Sequence, residues 1–85
     1  MRPDDSTIRV TILRLLEERG KGKTICPSEV ARSIAGSARS AWEPWMESVR
    51  NVAAAMADEG RLQVTQRGHA VNAVSAKGPI RLRSR

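Results

Sequence analysis

Apolar positions along the chain keep a helical period as far as residue 60 and a strand period after it. Ile8, Ile12, Leu15 and Leu16 fall at i, i+4, i+7 and i+8, one face of a helix, and Val10 and Leu13 widen that face. Asp4, Asp5 and Ser6 are N-cap types, and Gly20 after Arg19 supplies a left-handed stop, so a first helix is predicted over about residues 5–19. Thr24-Ile25-Cys26 has β-branched character but length for only a brief strand. Pro27 suits a first helical position, with Glu29 at N3. Val30, Ala31 and Ile34 give a second helix over 28–35 its buried side before Gly36 ends it. Trp42, Met46, Val49, Ala53, Met56 and Ala57 recur with a 3.6 period in a third and longest helix, near 44–58, closed by Gly60. Its start has two readings: a capping box from Ser40 to Glu43, or Pro44 at the first helical position.

After Gly60, Leu62 and Val64 alternate with Gln63 and Thr65, and Val71 and Ala73 alternate with Ala70 and Asn72. Arg67-Gly68 between them is a tight turn, so 62–66 and 69–74 are predicted to pair as a hairpin. Beyond Gly78-Pro79, Ile80 and Leu82 alternate with Arg81 and Arg83, which allows a further strand near 79–83 with one apolar and one basic face. None of these elements can bury its apolar side alone. Their order predicts a mainly α fold with a small antiparallel β-hairpin. This is a winged helix-turn-helix: a three-helix cluster plus a wing, with the brief strand after the first helix pairing with the hairpin. A three-helix arrangement with an unpaired hairpin is the alternative.

Size and composition narrow the picture. Eighty-five residues make one domain, 1–85, with residues 1–5 and 84–85 expected to fray. The lone Cys26 excludes a disulfide scaffold. The longest apolar run, Val52 to Ala57, is too short to span a bilayer, and no apolar leader precedes the first helix, which points to a reducing cytoplasm. The net charge of +6 is unevenly placed. All 9 acidic residues precede Arg61, where basic residues balance them, whereas Arg61, Arg67, Lys77, Arg81, Arg83 and Arg85 follow with no acid among them. Such an end attracts polyanions, duplex DNA first, and otherwise serves solubility. The outward side of the third helix carries Glu43, Glu47, Asp58 and Glu59 against Arg50, which opposes insertion between phosphate walls, and Asn51 alone is a poor reader of adenine. Contact is therefore expected through those six basic residues of the wing and tail, mostly with phosphates, with arginine insertion into a minor groove as an added mode.

Other constellations reduce to ordinary structure. Gly22-Lys23-Thr24 ends like a phosphate-binding loop, but the glycine needed five residues earlier is Glu17, and the segment follows a helix rather than a strand. The winged-helix order would let Cys26 and His69 approach one another near the strands, yet one Cys and one His close no zinc site and no acid near His69 would orient it as a base, so a buried thiol beside a strand and a surface His are expected. Glu43 and Glu47 form a solvated helix face rather than an acid–base pair in a pocket. Trp42 lies in phase with the apolar stripe and is assigned to the core. Trp45, at its edge, is either core or an exposed contact. Arg50, beside the stripe, is expected to pair with Glu47, Glu43 or Glu29 and so fix the helix angle, a base-reading role being the alternative. No catalytic, cofactor or metal residue is assigned, and the chain reads as non-enzymatic.

The segments Thr24-Ile25-Cys26-Pro27-Ser28-Glu29-Val30-Ala31, Trp42 with Val49-Arg50 and Val52-Ala53, Gly60, Thr65-Gln66-Arg67-Gly68 and Lys77-Gly78-Pro79-Ile80-Arg81-Leu82 together resemble an uncharacterised bacterial family of short winged-helix proteins, over roughly residues 8–83. The resemblance implies a winged-helix fold in a bacterial cytoplasmic protein and no established activity. Two functions follow as expectations: a DNA-binding module of low sequence specificity, or a winged helix used for protein interaction through the acidic third-helix face or Trp45.

Overall fold

The computed structural model describes residues 5–85, so the fraying expected of residues 1–5 lies outside the described residues except at Asp5, which is instead the first residue of a helix. Helix α1 runs Asp5–Arg19, strand β1 Thr24–Ile25 and helix α2 Pro27–Ala35. A one-turn helix α3, Arg39–Trp42, passes through a 3₁₀ turn, Glu43–Trp45, into helix α4, Met46–Asp58. Strands β2 (Leu62–Gln66), β3 (His69–Ala70) and β4 (Arg81–Ser84) complete the chain. This is a three-helix cluster with a small antiparallel sheet, mainly α and compatible with a winged helix.

The third helix has neither expected start. Pro44 lacks the N–H for an α-helical bond to the carbonyl four residues back, so the chain tightens to 3₁₀ there, and Met46 N–H bonds Glu43 O as α4 begins. At its other end Gly60, with φ +78°, closes the helix: Gly60 N–H reaches Ala57 O at 3.0 Å and Arg61 N–H reaches Met56 O at 2.9 Å, the paired bonds of a Schellman stop.

The core joins Ile8, Ile12 and Leu16 of α1, Ile25 of β1, Val30 and Ala31 of α2, Val49, Val52, Ala53 and Met56 of α4, and Leu62, Val64, Ile80 and Leu82 of the sheet region. Val10 and Leu13 do not widen the buried face of α1, being 64% and 42% exposed. At about 100° per residue Val10 lies on the opposite side from Ile8 and Ile12, and Leu13 well round the flank. Trp42 is packed against the core but only half buried, with the Arg32 guanidinium carbon 5.6 Å from its ring centre. Trp45 is likewise half buried.

The sheet differs most from expectation. Its order is β1-β4-β2-β3, all antiparallel, so β1 pairs with the last strand and not with the hairpin. The hairpin itself is short. Thr65 pairs with Ala70 and Gln66 with His69, and the chain then leaves the ladder instead of continuing to residue 74. Ala73 is buried nevertheless: the segment after β3 folds back against α4, where Arg50 donates to the Ala73 carbonyl. Ser84 pairs with Leu62, so the ladder reaches into the end expected to fray.

Candidate nucleic-acid interface

Strand alternation separates core from charge in β4. Leu82 is fully buried, while Arg81 and Arg83 are exposed on the outer face. Register aligns Thr24, Arg83 and Gln63 in one row across β1, β4 and β2, and Arg81 with Thr65 in the next. Arg61 and Arg85 stand just beyond Leu62 and Ser84 at one end of the sheet. Arg67, at the hairpin tip, marks the other. Five of the six sequence-assigned cations thus lie in or beside one sheet, from end to end, and Lys77 lies on the loop between β3 and β4.

They are not equivalent. Arg61 Nε lies 3.1 Å from Glu59 Oε1. The Arg81 guanidinium donates to Thr24 Oγ1 at 2.9 Å and reaches the Thr24 carbonyl at 3.4 Å. Arg67, Lys77, Arg83 and Arg85 have no ion pair or side-chain hydrogen bond among the described residues. Sequence reasoning missed Lys23, and Lys21 before it: the turn they form enters β1 at the end of the sheet where Arg85 lies, since Thr24 is paired with Arg83. Both lysines are exposed.

The acidic face of α4 is weaker than the sequence count implied. Arg9 grips Glu59 with two bonds, 2.9 and 2.7 Å, and Arg39 bonds Glu43 at 3.0 Å. The Arg9 hydrogen bonds hold the Glu59 carboxyl below its ordinary range. Two of the four acids are therefore matched by arginines from elsewhere.

Contrary to the expected pairing with Glu47, Glu43 or Glu29, Arg50 has carbonyls as its partners. Nη1 donates to Ala73 O at 3.2 Å and Ala76 O at 2.9 Å, and Nη2 to Gly78 O at 2.7 Å. Glu29 is instead engaged by Arg19 and accepts from Cys26 N–H at 3.0 Å, which completes the N-cap of α2. Burial pushes the Glu29 carboxyl up, but the Cys26 N–H and Arg19 together outweigh it and hold the carboxyl below its ordinary range. From the wing side Gln66 Nε2 donates to Lys77 O at 2.6 Å and Pro79 O at 3.1 Å. The 73–79 loop is therefore pinned from α4 by Arg50 and from β2 by Gln66. Beside it opens a cleft of about 720 Å³ lined by Gln66, Arg67, His69, Val71, Lys77, Gly78, Pro79 and Arg81. A smaller hollow on the sheet is lined by Gln63, Arg83, Ser84 and Arg85.

Cys26 and His69 are not brought together. Cys26 follows β1 and His69 lies in β3, at opposite edges of the sheet with two strands between, about 14 Å at the usual strand spacing. Cys26 Sγ contacts Ser28 Oγ at 3.0 Å, and His69 is exposed. Among the described residues no group of three or more metal-ligating side chains occurs, and no helix is long and apolar enough to cross a membrane. Glu43 and Glu47 are both exposed.

The motif segments singled out in the sequence converge here: Arg50 of α4, Gln66 and Arg67 of the turn, and Lys77-Gly78-Pro79 meet around one loop. Comparison with curated proteins gives no match. Over residues 5–85 the chain matches the family described as Protein of unknown function (DUF3253), and it belongs to that family.

Proposed function

We propose that this chain is a non-enzymatic winged-helix module of a bacterial cytoplasm that holds duplex DNA by its phosphates, with low sequence specificity. Contact runs through the hairpin tip, the outer face of β4 and the basic end, by way of Arg67, Lys77, Arg83 and Arg85, with Arg61 and Arg81 in support. Insertion of Arg67 into a minor groove is the finer form of the same reading. The observation that supports it most is the segregation of charge: the side chains of Arg67, Arg83 and Arg85 along the sheet and of Lys77 on the loop beside it have no partner among the described residues, and Glu59, next to Arg61, is already bound by Arg9. Neutralising three to five phosphates gives a slope of log K against log salt of about −3 to −5. Replacing Arg67, Lys77 and Arg83 together by Ala flattens that slope by about two to three, with the melting temperature nearly unchanged, whereas Asn51→Ala changes little. Anisotropy titration of a random-sequence duplex across salt concentrations measures this. A triple variant that binds like the unaltered chain refutes the reading. Lack of binding at low salt refutes it too, and turns attention to protein docking, which the exposed Val10 and Leu13 on α1 favour.

A further inference from the structure

We propose that the cleft between the Arg67-Gly68 turn and the 77–79 loop is a seat for a single phosphate group. The inference deepens the nucleic-acid reading and rests on it where the phosphate belongs to a DNA backbone. Its warrant is the distribution of donors and acceptors. Five carbonyls of the loop are already occupied: those of Ala73, Ala76 and Gly78 by Arg50, and those of Lys77 and Pro79 by Gln66. With these acceptors satisfied, the lining is rich in donors. Arg67, Lys77 and His69 line it, and no carboxylate does. The side chains of Arg67 and Lys77 have no bonded partner among the described residues, whereas the Arg81 guanidinium is turned to Thr24. Several donors with no protein acceptor call for a compact anion offering several oxygens, and phosphate is that group. A cleft of about 720 Å³ also leaves room for the atoms on either side of a phosphodiester, so either a chain phosphate or a phosphomonoester fits.

Amide NMR of the full chain tests this, with inorganic phosphate alone in one arm and a random-sequence duplex in the other. Saturable shifts at Gly68, His69, Lys77 and Gly78 in both arms are expected. Lys77→Ala weakens phosphate binding roughly three-fold or more and lowers the duplex salt slope by about one. Arg39→Ala, whose partner is Glu43 on the helical side, changes neither. If the duplex binds while the cleft amides stay silent, or if Lys77→Ala behaves like Arg39→Ala, the seat is overturned and the DNA reading stands. If phosphate saturates at the cleft but no duplex binds, the DNA reading fails and the seat holds, with a phosphomonoester as its occupant. Phosphate shifts spread evenly over Lys21, Lys23, Arg83 and Arg85 also overturn it.

Discussion

Replacing Arg50 by Met keeps the aliphatic stem that packs beside α4 and removes only the guanidinium. Three carbonyl acceptors lose their donors at once. A hydrogen bond to a charged group contributes about 1.5–3 kcal/mol when dry. Here the Gly78 bond is exposed and water can replace it, while the two from Nη1 are partly buried. Counting those two at about 1–1.5 kcal/mol each gives a loss of about 2–3 kcal/mol. A domain of this size holds only about 4–13 kcal/mol in total. At about 4–8 °C per kcal/mol, the melting temperature falls by about 8–24 °C. Because the partners are dipoles and not a carboxylate, the loss varies little with salt, unlike that of a screened ion pair. Urea unfolding at low and high salt measures both features, and hydrogen exchange shows amides of residues 73–79 opening before those of α4. A drop below about 3 °C, or a loss that disappears at high salt, would refute the carbonyl account.

Two further perturbations probe other parts of the fold. Glu29 has its carboxyl held below the usual range, so its contribution is present above about pH 4.3 and is lost as pH falls through the lower folded value; Glu29→Gln should therefore cost stability at pH 7 and little at pH 2–3, as read from melts across that range. Arg67 occupies the left-handed region at φ +53° and is followed by Gly68 at +83°. Arg67→Asn supplies the residue that such a turn prefers and should raise stability by about 0.5–1 kcal/mol while weakening duplex binding; a less stable variant contradicts the turn assignment.

What the sequence conveyed was mostly local. Helix α1 was readable because Asp5 and Ser6 are residue types common where helices begin and Gly20, whose N–H bonds Leu16 O, closes it. The buried and basic faces of β4 were legible for a similar reason, since alternation fixes which way each side chain points. Alternation does not say which strand lies alongside, and so the β2–β4 and β1–β4 pairings, bridging a long excursion, were invisible. The partners of Arg50 were missed because every residue carries a carbonyl, and a loop that will offer three of them to one guanidinium leaves no mark in residue identity. Counting charge along the chain found Arg83 and Arg85 but overlooked Lys21 and Lys23, which join the same sheet only through the β1 pairing.

That pairing bears on how the chain is made. Of the four strands, β4, which lies between β1 and β2, comes last in chain order, and Arg81 meets Thr24 across 57 residues. Until residues 81–84 have emerged, β1 has no neighbour, and Leu62 and Val64 lie on a strand open along one edge. At synthesis rates of about 5–20 residues per second, the eighteen positions from Arg67 to Ser84 leave that edge bare for roughly one to four seconds. During that interval the nascent chain presents an unsatisfied strand to other nascent chains and to chaperones, and its sheet closes only when residues 81–84 insert between β1 and β2.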